Sequence, residues 1–241
     1  MENQSIRDEQ LKRNIEDVQE RVRLAAQRSG RSYEDITILA ATKTQDVATI
    51  NRAIACGIRC IGENRVQELT AKYDGYDREH AAVQFIGHLQ VNKVKYIVDK
   101  VELIQSVDSL KLAAEIDRQC AKIGHVMDVL VEVNIGGEAS KSGVAPHELE
   151  PLLLGLAGLE HIKVRGLMTI PPICENRKQS EQYFSILHKE FLDIRAKTLD
   201  NIDMDILSMG MSGDYETAIE CGANMIRVGT ALFGPRKQLE G

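Results

Sequence analysis

Residues 36–43, I-T-I-L-A-A-T-K, form a short β-branched and aliphatic run closed by a lysine, with the polar Thr44, Gln45 and Asp46 behind it. Its length, its composition and its abrupt polar end predict a buried strand. A lysine closing such a strand is costly to bury unless a partner or a lowered pKa compensates. Two readings stand at this point. Lys43 emerges into water where the strand ends, as lysine heads generally do. Alternatively, it is a Schiff-base lysine at the carboxyl end of a barrel strand, where barrel active sites sit.

The surrounding chain alternates. Before the strand, residues 5–29 predict an amphipathic helix, with Leu11, Ile15, Val18, Val22 and Ala25 recurring at spacings of four and three and Gly30 as its stop. After it the expected helices are 47–56, 63–73, 91–98, 109–123, 146–156, 177–198 and 214–221, with Pro151 a kink or a boundary in the fifth of these. The expected strands between them are 58–61, 83–86, 102–107, 126–133, 162–169, 205–208 and 225–228. Eight strands, each followed by a helix or turn, with an extra N-terminal helix in front, predict a parallel (β/α)8 TIM-type barrel of the α/β class. The competing doubly wound sheet lacks support, because no G-x-G-x-x-G opens the first crossover.

With 241 residues, 43% hydrophobic and 27% charged, the chain is expected to form one domain over 1–241. Single barrels commonly run to roughly 250 residues. The formal net charge of −6 argues against a general nucleic-acid or membrane-surface binder, so any anion must be held by a local site. Cys56, Cys60, Cys120, Cys174 and Cys221 are scattered, without a C-x-x-C pair or histidines at zinc spacing, and are expected to be reduced thiols rather than metal ligands. The polar N-terminus is no signal peptide, and the longest apolar patch, 152–159, is too short to span a bilayer. A cytoplasmic protein is expected.

After the lysine, the most informative segment is 207–214, L-S-M-G-M-S-G-D, directly behind strand seven. Serines, glycines and free backbone N–H groups at a helix start make an anion site. Its counterpart behind strand eight is Gly229-Thr230-Ala231. Barrel phosphate sites are often built from those two loops, although ordinary turns with a Ser212 cap would look the same. Arg227 shares a strand face with Met225 and Gly229, and if Ile226 and Val228 pack on the helices it points into the barrel. There it bridges interior carboxylates such as Glu132 or touches a ligand. Polar clusters also follow strand two (Gly62, Glu63, Asn64), strand three (His88, Gln90, Asn92, Lys93) and strand five (Asn134, Glu138, Lys141, Gly143). Each reads as loop capping or as part of a shared mouth, and His88 as a cap or a general base.

Taken together, A-T-K-T at 41–44, I-G-E-N-R-V-Q-E at 61–68, F-I-G-H-L-Q-V-N-K at 85–93, S-V-D-S at 106–109, V-N-I-G-G-E-A-S-K-S-G at 133–143, G-L-M-T-I at 166–170, L-S-M-G-M-S-G-D at 207–214 and R-V-G-T-A-L-F-G at 227–234 span nearly the whole chain. In these motifs the sequence resembles the pyridoxal phosphate homeostasis protein family, whose barrel is similar to the N-terminal domain of alanine racemase. The resemblance implies that Lys43 holds pyridoxal 5′-phosphate as a Schiff base. It implies further that Ser212, Gly229 and Thr230 hold the phosphate, that Met209 and Asn64 lie near the ring, and that Arg227 faces the pyridine nitrogen. Two departures from the family pattern, Gln45-Asp46 and Val83-Gln84, touch none of these residues but bear on how the cofactor is shielded or released.

Three functions compete: a non-catalytic carrier of the cofactor, a weak amino-acid racemase, and a Schiff-base lyase acting on a sugar phosphate without the cofactor. Racemisation needs a second acid/base across the ring from the lysine, which in alanine racemases resembles a tyrosine from a β-rich second domain. The sequence ends at Gly241, so that domain is not expected, and Tyr215 is expected to pack at a helix start. An arginine at the pyridine nitrogen disfavours ring protonation and weakens the electron sink. The carrier is therefore the expected function, working as a monomer, with apo-enzymes that use the cofactor as its recipients.

Overall fold

The computed structural model describes residues 2–138 and 141–235. Eight parallel strands close into a barrel in chain order, the eighth pairing with the first. They are β1 Thr37–Ala41, β2 Cys60–Glu63, β3 Ala82–Phe85, β4 Leu103–Val107, β5 Met127–Glu132, β6 Ile162–Met168, β7 Ile202–Ser208 and β8 Met225–Val228. The helices are α1 Glu2–Arg28, α2 Val47–Ala55, α3 Val66–Lys72, α4 Leu110–Ile123, α5 Pro146–Ala157, α6 Arg177–Arg195, α7 Tyr215–Glu220 and α8 Thr230–Phe233. This is the expected barrel and not the open doubly wound sheet.

The two-residue period of each strand sorts its side chains into two cores. Leu39, Ala41, Cys60, Ile86, Leu103, Leu130, Met168 and Met225 make a small inner cluster. Ile38, Ala40, Ile61, Val83, Phe85, Ile104 and Ile226 belong to a much larger layer between strands and helices. A buried aliphatic side chain contributes roughly 1.5–3 kcal/mol, so the outer layer carries most of the apolar stabilisation. The inside is left free to be polar. The N-terminal end of the barrel is closed by Arg165, which donates to Asp128 at 2.7 Å and to Asp205 at 2.9 Å. Beside it, Gly166 has φ of +151° and lies so close to β7 that an added Cβ would fall 1.8 Å from the Ile206 carbonyl oxygen.

Helix α1 buries Leu11, Ile15, Val18, Val22, Ala25 and Ala26 and packs on α7 and α8. Polar contacts lock it there. Asn14 donates to the Leu232 carbonyl at 2.8 Å, Arg28 donates to Glu216 and Glu220, and Arg31, just past the helix, donates to the carbonyls of Ala223 and Ile219.

Several boundaries depart from the sequence-based expectation. β1 ends at Ala41, so Lys43 lies in the following loop. β2 is Cys60–Glu63 and not 58–61, which moves the start of α3 to Val66. The segment expected as a helix at 91–98 is a 3-10 helix, Val91–Tyr96. Its apolar residues, Val91, Val94 and Ile97, recur every third position, the period of that tighter helix. β7 begins at Ile202, because Asp203 and Asp205 alternate with Ile202 and Met204, both buried in the outer layer, without interrupting the strand. Pro151 lies inside α5 and does not bound it.

Candidate functional site

The loops at the carboxyl ends of the strands gather most of the residues singled out above. Leu39 and Ala41 of β1 face the inner cluster, and Lys43, two positions further on in the loop behind the strand, is half-buried. The loop turns sharply there. Gln45 N–H bonds the Thr42 carbonyl at 3.0 Å, and Thr44 has φ of +66°. Asp46 then caps α2 by accepting from Thr49 N–H at 2.7 Å. Gly229 lies beside this strand end, where an added Cβ would sit 3.4 Å from the Ala41 carbonyl oxygen.

The loops behind β7 and β8 are joined by one hydroxyl. Ser212 Oγ accepts from the backbone N–H of Gly229 at 3.2 Å and of Ala231 at 3.1 Å. Ser212 is therefore not the cap of α7. Asp214 holds that position, accepting from Met211 N–H at 2.6 Å. Burial raises the Asp214 carboxyl, partly offset by the Met211 amide and by Arg227. Thr230 is exposed at the start of α8, where the sequence had suggested only a turn. Met209 stands apart. It is fully buried in the outer layer, on the opposite side of β7 from Ser208, so its side chain packs among the helices and not in the barrel.

Arg227 does point into the barrel, only 4% exposed. It makes no hydrogen bond to Glu132. Its Nη1 donates to Ser208 Oγ at 2.6 Å and its Nη2 to the Thr169 carbonyl at 2.7 Å. Because a guanidinium only donates, Ser208 must pass its own proton onward. It donates to Gln105 Oε1 at 2.7 Å, and Gln105 Nε2 donates to Gln84 Oε1 at 2.6 Å. Gln84, taken from the sequence as remote from the site, is thus three hydrogen bonds from Arg227. Burial pulls the guanidinium pKa down to about 10, against the pull of Glu132 and Asp214. It stays charged at neutral pH. Glu132, also buried, is pushed up to about 7, first by burial and then by Asp108, with Arg227 opposing.

Among the described residues, the buried polar atoms without a hydrogen-bond partner include Asn64 Oδ1 behind β2 and Ser106 Oγ on β4. The β4–β5 register slips between Ile104 and Val107, both of which face the outer layer. The extra residue leaves Gln105 and Ser106 together on the inner side. Gly87 brings the loop after β3 against Asn64, whose carbonyl oxygen would lie 2.0 Å from an added Cβ. Sequence reasoning missed Gln105, Ser106 and Ser208, although two polar residues inside the buried strand L-I-Q-S-V were a usable signal. His88 is exposed, and its Nδ1 meets both Ser142 Oγ at 3.2 Å and Asp108 at 3.9 Å. Both partners use one nitrogen, so no serine–histidine–aspartate relay exists. Lys141 pairs with Glu138 and donates to the Pro171 carbonyl at 3.0 Å. Ala139 and Ser140 of the same motif lie outside the described residues.

Among the described residues no cluster of three metal-ligating side chains occurs, and no helix is long and apolar enough to cross a membrane. All five cysteines are free thiols.

The sequence matches the alanine racemase N-terminal domain family over residues 6–237. It is 45% identical, over 220 residues, to the pyridoxal phosphate homeostasis protein of Aquifex aeolicus, covering 91% of this chain and 96% of that one. The crystal structure of an unknown protein from Bifidobacterium adolescentis shares the fold with a TM-score of 0.91 and 37% identity, over 95% of this chain and 96% of its own. PipY of Synechococcus elongatus PCC7942, solved with PLP bound, is similar with a TM-score of 0.77 and 32% identity, over 88% of this chain and 98% of its own.

Proposed function

The chain belongs to the pyridoxal phosphate homeostasis proteins, built on the alanine racemase N-terminal domain, and from that premise we propose that it binds pyridoxal 5′-phosphate and carries it without catalysis. The observation that carries this reading is the cradle at Ser212, Gly229 and Ala231, set beside the end of the strand that leads to Lys43. The remaining residues suit the same ligand. Ser212, Gly229 and Thr230 take the phosphate, the half-buried Asn64 and the inward Ser106 meet ring substituents, and Met209 contributes its backbone at the rim. Arg227 offers donors, and no proton acceptor, to the pyridine nitrogen. Lys43 would supply the covalent link, its amine holding the cofactor at the aldehyde carbon.

Bound in this way, the cofactor would supply an electron sink, and Arg227 weakens it by disfavouring the protonated ring. That supports storage and delivery over turnover. The whole chain acts as one unit, a cytoplasmic monomer, and apo-enzymes that need the cofactor are its recipients. The test is borohydride reduction of the loaded protein followed by peptide mapping, with α-hydrogen exchange of L-alanine and other amino acids followed in deuterated water. The expected result is label on Lys43 and no exchange at an enzyme-like rate. Label on Lys93 or Lys141 would overturn the attachment point, and rapid exchange lost in Lys43→Ala would replace the carrier with a racemase.

A further inference from the structure

Glu63 is the most deeply buried carboxylate among the described residues, at 0% exposure. It follows Ile61, which faces the outer layer, so its alternation carries it away from the barrel interior. Three donors converge on its Oε1: Thr42 Oγ1 at 2.8 Å, Tyr76 OH at 2.8 Å and Lys72 Nζ at 3.0 Å. Lys72 Nζ also reaches Glu68 Oε2 at 3.2 Å, and that same oxygen accepts the backbone N–H of Thr44 at 3.0 Å. Burial alone would raise the Glu68 carboxyl; the Thr44 amide and Lys72 outweigh it and hold the group below its ordinary value. Both residues flanking Lys43 are therefore tied to one partly buried ionic cluster. Thr44 needs such a tie, because a β-branched residue at φ of +66° is strained and persists only when its surroundings hold it.

We propose that Glu63 and Glu68, joined through Lys72, are positioning residues that fix the direction of Lys43 without touching the ligand. The proposal rests on the reading of Lys43 as the attachment point. The cluster approaches the loop from the α3 side, while the phosphate cradle is built from the loops behind β7 and β8. Covalent attachment and anion binding are thereby set by different parts of the molecule.

The experiment compares two probes on the full chain: pyridoxal 5′-phosphate, and pyridoxine 5′-phosphate, whose alcohol cannot bond an amine. The wild type is expected to bind the aldehyde more tightly. Glu68→Ala should weaken the aldehyde about tenfold, the scale of one hydrogen bond to a charged group, and leave the alcohol within about twofold. Glu68→Gln keeps an oxygen for Thr44 N–H and should stay within about threefold of the wild type for both probes. Equal losses for both probes, including loss through unfolding, would reduce Glu68 to a structural role and overturn the proposal. So would full aldehyde affinity in Glu68→Ala, or a Glu68→Gln variant as damaged as Glu68→Ala. A wild type that does not distinguish the two probes would instead overturn the assignment of Lys43.

Discussion

A guanidinium donates at every nitrogen and accepts at none, and that asymmetry makes Arg227 the most consequential single residue of the barrel interior. Two of its nitrogens are spoken for by Ser208 and the Thr169 carbonyl, so its orientation is set by the protein. On the proposed reading, replacing it by glutamate would reverse the charge offered to the pyridine nitrogen and favour the protonated ring. Arg227→Glu is expected to shift the visible absorption of the loaded protein while inorganic phosphate still competes at the cradle; an unchanged spectrum in a folded, loaded variant would place Arg227 away from the ring. The inward direction of Arg227 was legible in the sequence, because Ile226 and Val228 alternate with it. Its partners were not. Ser208, Gln105 and Gln84 come from three strands and meet only when the barrel closes, and the adjacent polar pair in L-I-Q-S-V hints at an irregular strand without fixing the slip that turns Ser106 inward.

At the level of elements, α1 acts as a brace on α7 and α8, the two helices that follow the cradle loops. Arg31 completes the brace by donating to the carbonyls of Ile219, in the last turn of α7, and of Ala223, just beyond it. Arg31→Ala is expected to lower stability by about 1–3 kcal/mol, the scale of hydrogen bonds made by a charged, partly buried donor. Urea unfolding should show the midpoint fall with little change in slope; an unmoved midpoint would remove the brace from the account. Most elements were readable because long amphipathic periods such as 177–198 tolerate errors at their ends. The failures lie where periods are short. Six residues between β3 and β4 cannot distinguish a 3-10 helix from an α-helix by composition, and the aspartates of β7 hide a strand whose charges pair with Arg165 and Lys163.

For the whole molecule, a polar interior makes stability depend on pH. The Glu132 carboxyl titrates near 7 in the fold and near its ordinary value in the unfolded chain, so the fold binds the extra proton between those limits. Stability from this group is thus full at low pH, falls as pH rises toward 7, and is flat beyond, a loss on the order of 3 kcal/mol. Glu132→Gln should flatten that slope in urea titrations at pH 5 and pH 8; an identical slope would assign the dependence elsewhere. The hydroxyl of Ser212 has a kinetic consequence. It already satisfies the amides of Gly229 and Ala231, so under the proposed phosphate binding an arriving anion would trade partners with it and a departing one would leave the amides with a substitute at hand. Dissociation then need not pass through bare, unsatisfied N–H groups. A residence time shortened in this way would let the protein hand over its load without a separate ejection step.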